Sequence, residues 1–275
     1  MNKWSSVLLF LLGLSCTSLP VHAETRFDEI LKLPFLKPTE ILRYGDQADQ
    51  YGLLWSRQTA AAPLTAAAPL VVLIHGGCWL EAYDVAHIKP LASFLFEQGF
   101  DVWAPEYRRV GGEGGYPATF DDVGEAVEFI LQHTGGDTPW AIAGHSAGGQ
   151  LALWAASEPA LPKPAIAIGL AAITDLETYG RADGSCPKAV AQLLGGSSQE
   201  NAWLYESLSP SKRIFTSPVV MMQGLTDSIV PVDQAGAVSD ATHRYLEGTD
   251  HFDLINPQRD ATGELIKYLR RGFDE

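Results

Sequence analysis

Residues 69–75 read Pro-Leu-Val-Val-Leu-Ile-His, apolar from 69 through 74 and partly β-branched. A strand of that kind has no wet face, so it must be covered on both sides. A parallel sheet lying between layers of helices does this. The rest of the chain supplies matching parts. Residues 86–98 have a helical pattern that stops at Gly99, and 100–107 return as a strand. Thr119 offers a helix N-cap, with Asp121 and Asp122 in the first turn. Val123, Val127, Ile130 and Leu131 then recur at helical spacing. Residues 140–144 read as a strand and 147–157 as a helix. Strands are expected at 165–171 and 218–224. Helices are expected at 231–240 and 257–271, with a short strand near 244–246 between them. The predicted class is α/β, a mostly parallel sheet flanked by helices. Residues before Pro69 are expected to form antiparallel edge strands, and the Ala-rich stretch 60–68 a connection. Residues 175–217 break the alternation, with a short helix near 188–194, and read as a small cap-like insertion. With 275 residues and 46% hydrophobic side chains, the chain can build one sizeable core.

The first 23 residues read as a processing signal. Lys3 precedes the apolar run 7–14, and a polar region ends at Val21-His22-Ala23. Charged start, short apolar centre and small-residue exit form an export leader, and the run is too short to span a bilayer. Cleavage is expected after Ala23, leaving 24–275 as a single domain, periplasmic or secreted. Gly13-Leu14-Ser15-Cys16 faintly resembles a lipoprotein signal. Gly13 stands where that signal wants Leu, which ranks anchoring at Cys16 behind simple export. Cys78 and Cys186 would remain, and an oxidising compartment allows them to pair. Two buried free thiols are the alternative, and the sequence leaves both open.

A net charge of −14 argues against nucleic acid, whose phosphates require a basic surface. No second segment is long and apolar enough to span a membrane. There is no HExxH and no CxxC, so no metal site is expected, nor any cofactor.

Chemistry concentrates at Gly144-His145-Ser146-Ala147-Gly148-Gly149, between an expected strand and an expected helix. On such a sharp turn a serine hydroxyl stands at the carboxyl end of the sheet, where open α/β sheets place their ligands. The N-terminus of the following helix points at the same spot. A phosphate-binding loop would need GxGxxG or a lysine in the turn, and neither is present. A serine hydroxyl needs a base, and the base needs a carboxylate to orient it. Asp227, in the loop after strand 218–224, and His251, after the last strand, follow Ser146 in the required order. Asp175 also follows a strand and is the alternative acid. Asp233 reads as a first-turn dipole partner on the next helix. The remaining histidines lie in the leader, in the turn itself, in or beside surface helices (His87, His133), or at a strand (His243) or loop (His75).

Acyl transfer also needs N–H donors for an oxyanion. Ala147, after the nucleophile, is one candidate. The loop His75-Gly76-Gly77-Cys78-Trp79 opens directly from the buried strand and is the other source, with His75 and Gly76 bracing it.

Together the His75–Trp79 loop and Gly144–Gly149 resemble the esterase/lipase branch of the α/β-hydrolases. They are most similar to the group holding kynurenine formamidases and bacterial feruloyl- or acetyl-esterase-like proteins. The resemblance runs from about Leu53 to the C-terminus and includes Tyr107-Arg108-Arg109 and Gly248…His251-Phe252. It implies the α/β-hydrolase fold, and oxyanion N–H groups from Gly77 and Cys78. Hormone-sensitive-lipase-like esterases carry a third glycine where this chain has Cys78.

The expected activity is cleavage of carboxylic esters of small soluble substrates through an acyl-enzyme. N-formylkynurenine hydrolysis is the alternative, and the leader counts against it. A non-catalytic binding protein is a second alternative, and it predicts a lost triad member. Trp79, Tyr83, Tyr116, Tyr179 and Trp203 are candidates to line the acyl or alcohol site, or equally to be core or cap packing. The expected partner is a small acyl substrate, and the oligomeric state is left open.

Overall fold

The computed structural model describes residues 24–57, 68–136 and 138–274. The expected leader and most of the Ala-rich connection lie outside those residues. Along the described chain come α1 (Phe27–Ile30), β1 (Glu40–Arg43), β2 (Tyr51–Trp55), β3 (Leu70–Ile74), α2 (Lys89–Glu97) and β4 (Asp101–Pro105). Next are α3 (Ala118–His133), β5 (Trp140–His145), α4 (Ala147–Ser157), β6 (Ala167–Leu170), α5 (Leu176–Gly180), α6 (Ser185–Leu193) and α7 (Ala202–Leu208). The chain continues with β7 (Val219–Gly224), α8 (Val232–Gly236), β8 (Thr242–Leu246) and α9 (Asp260–Asp274).

The strands form one sheet in the order β1-β2-β4-β3-β5-β6-β7-β8. β1 pairs with β2, and β2 with β4, antiparallel; every other pairing is parallel. This is the α/β-hydrolase fold. Every residue of β3 to β7 is buried, as an apolar strand between two helical layers must be. Each such Val, Leu or Ile side chain removed from water contributes about 1.5–3 kcal/mol. The outer strands β1 and β8 keep exposed positions and carry charge, which discourages edge-to-edge pairing with other chains. Helix α4 packs on β5 and β6, and α2 on β4.

Some local expectations are corrected. The segment read as one helix over 86–98 begins as a 3-10 turn, Val85–Ile88, before α2. Asp84 caps that turn by accepting from the N–H of Ala86 (2.8 Å). Thr119 is not the N-cap of α3, because Pro117 holds that position. Its hydroxyl accepts from Gly115 N–H (2.9 Å) and donates to the Arg108 carbonyl (2.6 Å) instead. Asp121 lies in the first turn of α3 as expected, but Asp122 lies beyond it. Asp122 is fully buried and takes the Arg108 guanidinium and the Gln50 amide (2.7 Å). His87 is not on a surface helix: it is buried, edge-on to His75 at 5.5 Å between ring centres. The helix expected over 231–240 is only the five residues of α8, which end at Gly236.

Candidate active site

The turn from β5 into α4 places Ser146 at the carboxyl edge of the sheet. Its backbone has φ +57°, a left-handed value that side chains rarely adopt and that costs about 1 kcal/mol or more. Neighbouring strands hold it there. The N–H of Ser146 donates to the Leu170 carbonyl of β6 (2.8 Å). Its carbonyl accepts from Gly149 (3.0 Å), Gln150 (3.2 Å) and Ile173 (3.3 Å). Ala147 is the first residue of α4, so its N–H has no intrahelical partner.

The loop after β3 comes directly against this turn. A Cβ added to Gly76 would lie 2.7 Å from the His145 carbonyl and 3.1 Å from Ser146 Cβ, which is why glycine stands there. Gly77, Cys78 and Trp79 are all left-handed, with φ of +101°, +55° and +59°. A Cβ on Gly77 would meet the Tyr83 side chain at 2.3 Å.

Three successive left-handed residues need a firm support, and a buried polar network beneath the loop provides it. His75 stacks on Tyr107 with ring centres 4.3 Å apart, and the Tyr107 hydroxyl donates to the His75 carbonyl (2.8 Å). His75 Nε2–H donates to Glu106 Oε1 (2.8 Å). Glu106 also accepts from the N–H groups of Val85 and Tyr107 (both 2.9 Å) and pairs with Arg109. The sequence reading passed over Glu106. Its signal was a carboxylate ending an apolar strand, which must find buried donors.

Cys78 and Cys186 form a disulfide, which settles the pairing left open above. It ties the loop after β3 to α6.

Asp227 and His251 sit in the loops after β7 and β8 and meet at 2.8 Å, carboxylate Oδ2 to ring Nδ1. Asp227 Oδ1 accepts from the N–H groups of Ile229 and Val230 (both 2.8 Å), and Gln223 donates to Oδ2 (3.1 Å). Burial alone would raise this carboxyl. The bond to His251, its charge and the two N–H donors outweigh that and hold it below the usual carboxylate range. Asp175, the alternative acid, instead caps α5 by accepting from Thr178 N–H (2.9 Å). His251 is drawn against the nucleophile turn by His145, whose Nε2–H donates to the His251 carbonyl (3.0 Å) with the rings 4.4 Å apart. His145 has no role in the sequence reading beyond filling the motif.

The aromatic candidates divide. Trp79 is fully buried, donating from its indole N–H to Gln150 (3.1 Å), so it supports α4 and does not line a pocket. Tyr179 is also core, with its hydroxyl on the Ile229 carbonyl (3.2 Å). Tyr83 is half-buried behind Gly77. Tyr116 and Trp203 are exposed and meet edge to face at 5.9 Å.

Residues 60–241 match BD-FAE. The chain belongs to the BD-FAE family. Within the esterase/lipase branch it is 26% identical, over 246 residues, to "Esterase LipC" of Mycobacterium tuberculosis. That alignment covers 78% of this chain and 60% of LipC, so this chain spans little more than half the length of the curated relatives it matches. Among solved structures, esterase B from Lactobacillus Rhamnosis (HN001) superposes with TM-score 0.71 at 19% identity, covering 90% of this chain and 89% of that one. Carboxyl esterase 2 from the fungus Tuber melanosporum gives 0.65 at 17%, covering 86% and 84%. At such identities the likeness is one of fold.

Family membership leaves the electrostatics of this chain to be read from its own residues. Burial pushes His75 and His87 down to about 3, helped by Arg109 beside the first and by His75 beside the second. His145 is likewise held well below its usual value by burial and the neighbouring His251. Unfolding returns all three to about 6.5. The unfolded chain therefore binds more protons below about pH 6.5. Stability should be complete above about pH 6.5 and fall as pH drops below it, as the three coupled rings are forced to take up protons. Asp227, with its lowered carboxyl, adds loss only below its unfolded 3.8. Urea midpoints measured from pH 7.5 to 4 read this directly, and a flat profile would contradict the neutral buried histidines.

Proposed function

We propose that the protein is a carboxylic-ester hydrolase acting through an acyl-enzyme on Ser146. The observation that carries this is the Asp227–His251 pair, bonded at 2.8 Å and held by His145 against the strained serine turn. His251 Nε2 takes the Ser146 proton as Oγ bonds to the acyl carbon. The carbonyl oxygen becomes an oxyanion, which the N–H groups of Ala147, Gly77 and Cys78 receive. Collapse of this intermediate breaks the bond to the alcohol oxygen, which leaves with the proton from His251. Water, deprotonated by the same ring, then attacks the acyl-enzyme and frees the acid and the serine. Asp227 stays ionised and holds the ring in the Nδ1–H tautomer. Curated relatives named as esterases support this reading.

In the same reading the substrate is a small, soluble ester, and residues 175–217, carrying α5 to α7, form a modest cap. Export with cleavage after Ala23 belongs to it too. The Cys78–Cys186 disulfide supports an oxidising compartment. Among the described residues no helix is long and apolar enough to cross a membrane.

The test is a substrate panel: acetyl to octanoyl aryl esters, feruloyl esters and N-formylkynurenine, with Asp227→Asn beside the wild type. Short-chain and feruloyl esters should be cleaved, and Asp227→Asn should lose about 10⁴-fold in kcat through the wrong histidine tautomer. Preference for the formamide would replace the ester reading with the arylformamidase one. A fully active Asp227→Asn would reject the triad.

A further inference from the structure

Thr25 has no place in the reaction as described, yet its hydroxyl is buried and makes three hydrogen bonds. It is 2% exposed, one residue after the start of the described chain. Its hydroxyl donates to Asp253 Oδ1 across 228 positions of sequence. The same oxygen accepts from Asn256 Nδ2 (3.2 Å) and Arg259 Nε (3.1 Å). One donor and two acceptor sites are all a hydroxyl offers, and all are used.

The next bonds in this chain lead to the base. Asp253 Oδ2 accepts from the N–H of Asp250 (2.9 Å), and Asp250 Oδ1 accepts from the N–H of His251. On the other side the His251 carbonyl takes the His145 bond. The backbone of the proposed base is thus pinned at both its N–H and its carbonyl, and the N–H side leads to Asp253, whose Oδ1 is held jointly by the Thr25 hydroxyl and by Arg259 Nε (3.0 Å). Two residues on, Phe27 lies 5.8 Å from Phe252, beside His251, and 5.2 Å from Tyr83, which backs Gly77. The segment therefore touches both loops that the chemistry requires, the one carrying the base and the one carrying oxyanion donors.

We propose that Thr25 is a positioning residue for His251. Through Asp253 and Asp250 it fixes the 250–253 turn, and with it the angle at which the imidazole meets Ser146. The inference rests on the esterase reading, because it assumes His251 is the base. A displacement of about 1 Å at a reacting group costs up to about 100-fold in rate, so a loosened turn should be visible in kcat.

The experiment compares wild type with Thr25→Val, which removes the hydroxyl at nearly constant volume, and Thr25→Ser, which restores it. Two readouts are taken on folded protein. One is kcat and KM for a p-nitrophenyl ester. The other is the second-order rate at which a fluorophosphonate labels Ser146. Thr25→Val should lower kcat and the labelling rate about tenfold with KM within about twofold, and Thr25→Ser should recover both. Thr25→Ala carries the same expectation if the valine variant does not fold. Labelling and turnover equal to wild type in the hydroxyl-free variant, with or without a lower Tm, would overturn the positioning role. A wild type that neither turns over ester nor takes the label would instead sink the esterase reading, so the two failures can be told apart.

Discussion

Ser146→Ala is expected to lower turnover of the best aryl ester by about 10⁴-fold or more while leaving KM nearly unchanged. The hydroxyl is the atom that forms the acyl bond, and no neighbouring side chain can replace it. Cys78 contributes backbone only, since its sulfur is engaged with Cys186. What survives in the variant is whatever the oxyanion donors and substrate binding give to attacking water. Alanine at φ +57° meets the same left-handed penalty as serine, so Tm should move little. Steady-state kinetics and fluorophosphonate labelling check the two halves of the claim. A variant retaining activity within tenfold of wild type is the result that would reject the mechanism.

Cys186→Ser is expected to have the largest effect on stability. The bond it removes closes a loop with a sequence separation of 108. In the chain-entropy account, cross-linking a loop of about 100 residues is worth about 4.7 kcal/mol. For a chain of this size that corresponds to a Tm lower by about 10 °C or more. Activity should fall as well, and for a separate reason. The bond anchors Cys78, one of three consecutive left-handed residues in the loop that faces Ser146. Without the anchor, that backbone has less holding it in its strained form. Wild type treated with a reductant strong enough to open the bond should reproduce both losses. If Cys186→Ser melts with wild type and turns over equally fast, the bond neither stabilises the fold nor orders the loop.

How legible this protein is in its sequence depends on whether a residue's role is local. Strands β3 to β7 are readable because double-sided burial requires an unbroken apolar run, and each such run is contiguous. Ser146 is readable because its turn is made by residues within three positions. Asp227 and His251 are readable by rank order after particular strands, and the structure brings them together. The surroundings of Asp122, His87 and Trp79 are not legible, for the opposite reason. A polar or aromatic side chain looks the same in sequence whether water or a partner surrounds it. The partners here are Arg108, His75 and Gln150, the last of them 71 positions from Trp79. Thr25 is the extreme case, since nothing near it in sequence points to Asp253. The cysteine pairing stayed open because it depends on where α6 lies over the loop after β3, which no spacing rule states.

The reach from Thr25 to Asp253 also sets an order of events in time. Strands β3, β4, β5 and β6 are complete by residue 170, so a growing chain can pair them and form the serine turn early. Asp227, His251 and the partners of Thr25 emerge only afterwards. The residues of the nucleophile turn are therefore synthesised before the base, and the bonds from Thr25 toward the base form only when residues 253–259 meet it. A partly synthesised chain holds the serine without the means to use it. Contacts this distant in sequence are also slow to find, because loop closure must come before they reward the chain. In refolding from denaturant, recovery of activity should trail recovery of the sheet.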